Sequence, residues 1–211
     1  MQKYVKTNKP KTIKKDVIQI HVLNHQVEKL AQIVRKHKAI YEFLDRVQEL
    51  KINNYYIGAG CITQTTWNYL SDLPLEHGIK DVDLVYFDDS DLSDEKEDQV
   101  KSQLERMFPN YPFKIDVKNE ARVHLWYKSR FGYEIKPYQS VEEAIDTWPT
   151  TATSLGIRLT SDEWDVYAPY GLDDLFNKVV RPNKRQITKE IYDKKVSRWK
   201  AQWNDLRIEP W

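Results

Sequence analysis

The stretch that decides the fold is YYIGAGCITQTTWNYLSDLPLEHGIKDVDLVYFDD, residues Tyr55–Asp89. Its apolar runs and turn residues predict a short buried strand, a sharp turn over residues 58–60, a helix and a second buried strand. Two acids, Asp81 and Asp83, stand at the entrance of this second strand. Because side chains on a strand alternate between faces, the two carboxylates point the same way, roughly 6–7 Å apart along the strand.

A third acid fits this set. Asp116 lies in FKIDV, residues 113–117, another short strand-like run. The apolar residues of this run occupy alternate positions, so Asp116 shares the other face of the strand, where a site can form. Carboxylates on one sheet face, beside a glycine turn that opens a helix, suit a divalent metal ion that holds a phosphate chain. The sequence therefore predicts a metal and phosphate site at Asp81, Asp83 and Asp116.

The turn and the start of the helix supply candidate phosphate contacts. Gly58 and Gly60 let the backbone turn sharply and approach a ligand without a side chain in the way. Two glycines alone would indicate only an ordinary strand-to-helix turn, and it is the acids that favour the phosphate interpretation. Thr63 and Gln64, near the helix start, are expected within reach of a phosphate, whereas Trp67 is expected in the core.

Two arginines later in the chain admit two interpretations each. Arg122 either grips a triphosphate as a planar fork, or pairs with Glu120 or the acidic segment over residues 81–98. Arg158 lies in a predicted hairpin strand, where it either lines a nucleotide pocket beside nearby hydroxyl groups or belongs to a solvated face. The sequence leaves both questions open.

The composition bounds the class of protein. A chain of 211 residues, 40% hydrophobic and rich in aromatics, suits one domain with a buried core. We expect a basic arm over residues 1–23, whose first fifteen residues hold six lysines and no acid, and one domain over 24–211. A net charge of +1 gives no overall attraction to nucleic acid or membrane.

Cysteine usage and hydropathy bear on location. Cys61 is the only cysteine, so no disulfide can form within the chain, and no cysteine pair suggests zinc. The N-terminal lysines are followed by no apolar core typical of a signal peptide, and no apolar run approaches the length of a membrane span. A cytoplasmic protein with no membrane partner is therefore expected.

Elsewhere the pattern predicts helices that cover a sheet. His21, His25 and His37 lack metal-like spacing and are expected on the surface. The remaining predicted elements are a short strand at 17–22, two amphipathic helices between 24 and 50, a charged helix ending near 108, a helix from the capping box at 140–143 to about 148, a hairpin with strands at 151–160 and 163–168, a helix at 172–180 and a last helix. The aromatic stripe of the last helix, which extends to residue 206, is expected to face the core. Its outer face, with Lys194, Lys195, Arg198 and Lys200, is expected to meet water or an acceptor nucleic acid.

The order of glycine turn, Asp-x-Asp strand and later single Asp resembles the DNA-polymerase-β-like nucleotidyltransferase superfamily. The resemblance is closer to a bacterial nucleotidyltransferase-like family whose biological substrate is not defined, and it covers most of the chain from about Tyr55 to Trp203. The segments that carry it are AGCITQTTWNYL (59–70), DVDLVYFD (81–88), KNEARVHLWY (118–127), TATSLGIRL (151–159), VYAPYGLDDLF (166–176) and VRPNK (180–184).

This resemblance implies an α/β (α+β) polymerase-β-like fold, a mixed β-sheet flanked by helices. It also implies that Asp81 and Asp83 bind Mg²⁺ or Mn²⁺, and that Asp116 binds a metal on the acceptor side and helps to take the hydroxyl proton. Gly58 and Gly60 would line the phosphates. The chain departs from the usual superfamily pattern in having Gly-Ala-Gly at the turn and a long gap before the first acid.

The implied reaction moves a nucleoside monophosphate from an NTP donor to a hydroxyl of an acceptor, a small molecule, an RNA or a protein, and releases pyrophosphate. Two alternatives stay open: a non-catalytic regulatory module that binds nucleotide or metal, and a protein adenylyltransferase of the toxin–antitoxin type. A polymeric acceptor predicts a broad basic surface beside the acids, whereas a small acceptor predicts a closed pocket.

Overall fold

The computed structural model describes residues 13–161 and 163–211, with side chains from residue 24 onward. The helices are α1 (Ile13–Lys36), α2 (Lys38–Arg46), α3 (Gly60–Leu70), α4 (Asp94–Met107), α5 (Val123–Phe131), α6 (Val141–Ile145), α7 (Asp173–Phe176) and α8 (Lys189–Lys200). Single 3-10 turns cover Val47–Leu50 and Glu120–Arg122. The strands are β1 (Tyr55–Gly58), β2 (Asp81–Tyr86), β3 (Lys114–Asn119), β4 (Gly156–Thr160), β5 (Glu163–Tyr167), β6 (Val179–Val180) and β7 (Arg207–Ile208).

Five strands form the main sheet, in the order β3-β2-β1-β4-β5. Only β2 and β3 are parallel, and the other neighbours are antiparallel. The C-terminal end of β1 therefore lies at the same edge as the starts of β2 and β3. This edge collects the glycine turn and the acids, and the predicted mixed α/β sheet flanked by helices is confirmed.

Helix α4 makes the crossover that a parallel β2–β3 pair requires. Ser93 caps its start, because the Ser93 Oγ accepts a hydrogen bond of 3.3 Å from the Lys96 N–H. Three acids follow in the first turn, where they complement the positive end of the helix dipole. Leu104 is fully buried, so this strongly charged helix still packs onto the sheet.

The two faces of the sheet carry different layers. Ile57, Leu84 and Val117 point into the main core, together with residues of α1, α2 and α3. In that core the buried Trp67 ring meets Trp199 and Trp203 edge-on, with centroids 5.6 and 5.7 Å away, so its predicted core position is confirmed. The opposite face carries the acids at one end and a smaller cluster around α6 at the other.

Two local predictions are wrong, and the bounds of a third change. Residues 17–22 are helical and belong to α1, which runs across the predicted arm boundary; residues 1–12 of the arm lie outside the described residues. The helix predicted over 172–180 is the short α7 followed by β6, because Lys178 takes a left-handed φ of 53° and β6 pairs with β7. The hairpin is confirmed, although its first strand begins only at Gly156.

Helix α5, which follows Arg122, has no counterpart among the predicted elements. None of the described helices is both long enough and apolar enough to span a membrane.

Candidate active site

A row of four residues crosses the sheet at the edge that holds the acids. In register, Gly156 lies opposite Gly58, Gly58 opposite Asp83, and Asp83 opposite Asp116. Residues directly opposite each other on neighbouring strands share a face, and the strands are about 4.8 Å apart. Asp81, two residues before Asp83, shares that face as well. The structure therefore brings the three predicted acids onto one surface.

The three carboxylates repel one another. Burial of the Asp83 carboxyl and the negative charges of Asp81 and Asp116 raise the pKa of Asp83 to about 7. Lys195 and Lys118 act in the opposite direction on the same group and do not cancel the effect. A cation bound between Asp83 and its two acidic neighbours would offset both the burial and the repulsion.

Asp116 is held by two lysines of its own strand. The Asp116 Oδ1 lies 3.2 Å from the Nζ of Lys118 and 3.8 Å from the Nζ of Lys114. In the described part of the chain, no three His, Cys, Asp or Glu side chains already enclose a position for a metal ion. By donor type and net charge the three acids fit Mg²⁺ or Mn²⁺, and the lysines on Asp116 would have to give way.

The glycine turn between β1 and α3 is tightly packed. Ala59, the residue before the helix, has φ 50° and ψ −121°, a conformation that favours glycine and stores strain of about 1–3 kcal/mol. A Cβ on Gly58 would lie 2.5 Å from the Trp148 indole, and one on Gly60 would lie 3.0 Å from the Gln64 Nε2. Gly58 is thus required by the packing of an aromatic ring on the site face.

Thr63 and Gln64 have different surroundings although they are neighbours in α3. Thr63 is fully buried, and its Oγ1 donates a hydrogen bond of 3.1 Å to the Ala152 carbonyl, away from the acids. The Gln64 side chain is also buried, but its Oε1 has no hydrogen-bond partner among the described residues. It lines a cavity that reaches Asp81.

Arg122 lies apart from the acid row. Its buried guanidinium forms ion pairs with Asp94 and, at 3.1 Å, with the Glu97 Oε1, and its Nε donates to the Leu92 carbonyl at 2.7 Å. Of the two interpretations of this residue, the structure shows the one in which it pairs with the acidic segment. All of its described partners are groups at or near the start of α4.

Arg158 also forms its ion pair away from the three acids. Its guanidinium pairs with the Asp165 Oδ2 at 2.7 Å on the adjacent strand, and it lies over the Tyr56 ring, 4.8 Å from the centroid. It shares the face of the acids, because it lies two residues beyond Gly156 on β4. The structure therefore places it two strands away from Asp83, on the side toward β5.

Helix α8 contributes cations whose place beside the acids the sequence did not predict. Lys195 is half-buried, with its Nζ 5.3 Å from the centroid of the Trp199 ring. Burial and the charge of Arg198 lower the pKa of Lys195, whereas Asp83 and Asp81 act to raise it. The effect of Asp83 and Asp81 on Lys195 shows that α8 lies beside these acids. The spacing of Lys195 and Arg198 beside Trp199 predicts one face of a helix. It gives no information on which element packs against that face.

A small cavity, partly open to solvent, lies between α3, β2 and α8. Its walls include Gln64 of α3, Lys80 and Asp81 at the start of β2, Arg198 of α8, and Gln202. Gln64 of α3 and Asp81 of β2 thus line one opening. The arrangement combines carboxylates that suit a divalent cation with basic and amide groups that suit phosphate oxygens.

Known proteins share this fold and this stretch of sequence. A family described as nucleotidyltransferase matches residues 45–208. A solved structure, titled as an NMR structure that reveals a CCA-adding enzyme head domain, superposes with a TM-score of 0.71 and 24% identity over 87% of this chain and 96% of that chain. A comparison with curated proteins gives no match.

The structural similarity establishes the fold, and the family match spans the glycine turn, all three acids and helix α8. The chain therefore belongs to the nucleotidyltransferase family, and it is a nucleotidyltransferase with a polymerase-β-like fold.

Proposed function

We propose that the protein transfers a nucleoside monophosphate from an NTP to a hydroxyl group of an acceptor and releases pyrophosphate, in a reaction that needs Mg²⁺ or Mn²⁺. The observation that carries this proposal is the row in which Asp83 lies between Gly58 and Asp116, with Asp81 on the same face. Burial and the charges of Asp81 and Asp116 raise the pKa of Asp83, and a bound divalent cation would favour its ionised form.

The resemblance to nucleotidyltransferases implies a role for each acid. Asp81 and Asp83, next to the glycine turn, would hold the metal on the donor side, and Asp116 on the edge strand would hold a metal on the acceptor side. Divalent ions supply charge neutralisation of the triphosphate and lower the pKa of the attacking hydroxyl. The Asp116 carboxylate would accept the proton of that hydroxyl while the bond from the α-phosphorus to pyrophosphate breaks.

Helix α3 assists by its position. Its first N–H groups have no partner inside the helix, and the positive end of its dipole faces the acid edge of the sheet. Phosphate groups are stabilised at such a helix start. The acceptor is a hydroxyl-bearing small molecule, RNA or protein.

The test is a calorimetric titration of ATP, CTP, GTP and UTP, each with Mg²⁺ or Mn²⁺, into the full chain. We expect metal-dependent binding to the wild type and its loss in the double variant Asp81→Ala/Asp83→Ala. Asp89→Ala is the matched control, since Asp89 is exposed just beyond β2. If the folded wild type binds none of the four nucleotides, the proposal is wrong and a repurposed scaffold is favoured.

A further inference from the structure

Two helices beside the acid row carry a group of cations, which we call the α5–α8 cationic surface: Arg130 of α5 and Lys194, Lys195 and Arg198 of α8. All of them are exposed except Lys195, which is half-buried. The charges of Arg130 and Arg198 act on Lys195, and so do those of the two β2 acids. Because charges influence one another mainly within about 10 Å, these cations lie together and next to the acids.

The cations of this surface lack carboxylate partners. Among the described side chains, none of the four forms an ion pair. Other exposed basic residues do, and Lys128 of the same helix α5 lies 2.8 Å from Glu134. Lys194 and Arg198 are four residues apart on α8, a spacing at which like charges destabilise a helix. A polyanion would relieve this repulsion, because its phosphates supply the missing negative charge.

An aromatic side chain stands next to these cations. Trp126 is half-buried on α5, and the Arg130 guanidinium, one helical turn later, lies 5.8 Å from the centroid of its ring. The adjacent Leu125 is 56% exposed, so α5 presents apolar surface here. Sites for single-stranded nucleic acid combine cations that follow the backbone with aromatic rings on which bases stack. An acidic protein segment would use the cations and would have no bases to stack on the ring.

We propose that the α5–α8 cationic surface binds the single-stranded end of a polynucleotide, whose terminal hydroxyl is the acceptor. This inference rests on the proposed function and extends it, because it selects one class of acceptor. The cations contact backbone phosphates, and Trp126 stacks on a base near the end of the strand. The oxygen of the terminal hydroxyl bonds to the α-phosphorus of the NTP, its proton passes to the Asp116 carboxylate, and the electron pair of the broken bond leaves with pyrophosphate.

The experiment measures the binding of a short single-stranded RNA and of the matching DNA to the full chain, by fluorescence anisotropy at several salt concentrations. In Arg130→Gln, Lys194→Gln and Arg198→Gln we expect weaker binding, and a slope of log K against log[salt] that is smaller by about 0.7 for each lost phosphate contact. Lys51→Gln is the matched control, because Lys51 is exposed just before β1, at the sheet edge opposite the acids. We expect neither change in this control. The comparison of RNA with DNA identifies the sugar that the surface accepts.

Trp126 separates a nucleic acid from an acidic protein segment. Trp126→Ala should weaken the binding of the strand by at least about fivefold and leave the salt slope unchanged, because stacking releases no counterions. Trp126→Phe, which keeps a ring, should retain more of the affinity. Poly-glutamate of equal charge should bind more weakly than the strand. If it binds equally well, or if Trp126→Ala has no effect, an acidic protein partner is favoured and the inference is wrong.

The outcomes separate this inference from the proposed function, because strand binding is measured without NTP. If the chain binds NTP with a metal ion but neither strand, the inference is wrong and the proposed function stands. If it binds a strand but no NTP, the proposed function fails, and with it the role of the strand as acceptor, while the surface assignment stands. Unchanged salt slopes in all three surface variants also overturn the inference.

A measurement on the wild type covers variants that fail to fold. The strand should shift the NMR signal of the Trp126 indole N–H, which the spectrum of Trp126→Phe identifies by its loss. It should leave the signal of Trp164 in place, because that ring stacks near Tyr41 of α2 on the other face of the sheet. A shift of the Trp164 signal without one of Trp126 contradicts the assignment.

Discussion

At the scale of single residues, the Glu120 carboxyl has a pKa far above its ordinary value. It is buried just after β3, and burial together with the negative charges of Asp83 and Glu97 raises its pKa to about 8. Because the ordinary value is 4.5, the folded protein binds a proton more tightly than the unfolded chain between these limits. The free energy of unfolding therefore falls as the pH rises from about 4.5 to about 8, and stays low above it.

The variant Glu120→Gln removes this proton linkage. At pH 5, where Glu120 is neutral in the folded state, wild type and variant should have nearly the same Tm. At pH 9 the variant should be more stable, by at least about 3 °C, which thermal unfolding followed by circular dichroism can measure. Glu95→Gln, at an exposed position of α4, is the control. A constant difference between pH 5 and pH 9 would contradict the assignment.

Individual side chains also show how far sequence reasoning reaches. Asp83 and Asp116 could be assigned to one face because a period of two fixes the side of a strand. His37 was predicted on the surface, and this is wrong: it is 1% exposed, its Nδ1 accepts from the Ile40 N–H at 3.4 Å as the cap of α2, and its ring lies 5.7 Å from that of Phe113. His25 is exposed as predicted, and the side chain of His21 lies outside the described residues.

At the scale of elements, the Arg122 ion pairs join α4 to the start of α5. The Glu97 carboxylate is mostly buried, and its Oε2 also accepts the Asn119 N–H at 2.6 Å. This cluster therefore fixes the crossover helix against the end of β3, the strand that carries Asp116. The sequence allowed Arg122 either to bind a triphosphate or to pair with nearby acids. It could not decide between the two because the answer depends on the packing of α4 beside Arg122.

Arg122→Ala should leave the Glu97 charge buried without its partner. We expect a loss of about 3–5 kcal/mol in the free energy of unfolding, measured by urea denaturation. The folded fraction should keep the nucleotide affinity of the wild type, because Arg122 lies apart from the acid row. Arg106→Ala, at the exposed end of α4, serves as control. A stable variant with much weaker NTP binding would instead support a triphosphate contact.

Helix α8 marks the limit of prediction at this scale. Its stripe of Tyr192, Val196 and Trp199 was predicted to face the core, and these residues are buried. The stripe fixes which side of the helix is covered, and the sequence carries no information on the element that covers it. Lys195 and Arg198 therefore read as a solvated face until the packing of α8 beside Asp81 is known.

At the scale of the whole molecule, composition predicted one domain, and the boundary at residue 23 remains a proposal. Helix α1 crosses this boundary, and among the side chains described from residue 24 onward the first buried one is Val27. We expect a chain of residues 24–211 to unfold in a single transition, at a free energy within about 1 kcal/mol of the full chain, because it contains the whole of the described core. Coincident urea curves from tryptophan fluorescence and circular dichroism would check this, and two separated transitions would refute it.

Strand order is the whole-molecule property that the sequence left undetermined. The turn residues show that β4 and β5 form a hairpin, because the connection is short. They do not show that β1 lies between β2 and β4, which depends on contacts between distant parts of the chain. The assignment of β1 to the centre of the sheet comes from the structure alone.

The short pair formed by β6 and β7 has a consequence for the cavity. The segment after α8 is held by the Arg207 N–H on the Lys178 carbonyl at 2.9 Å and by the Trp203 Nε1 on the Asn68 Oδ1 of α3 at 2.7 Å. With two residues per strand, this pair is a candidate for early local opening, detectable as fast amide hydrogen exchange. Its opening would loosen the segment that holds α8 against α3, so the width of the cavity between these helices would depend on a strand pair remote from the carboxylates.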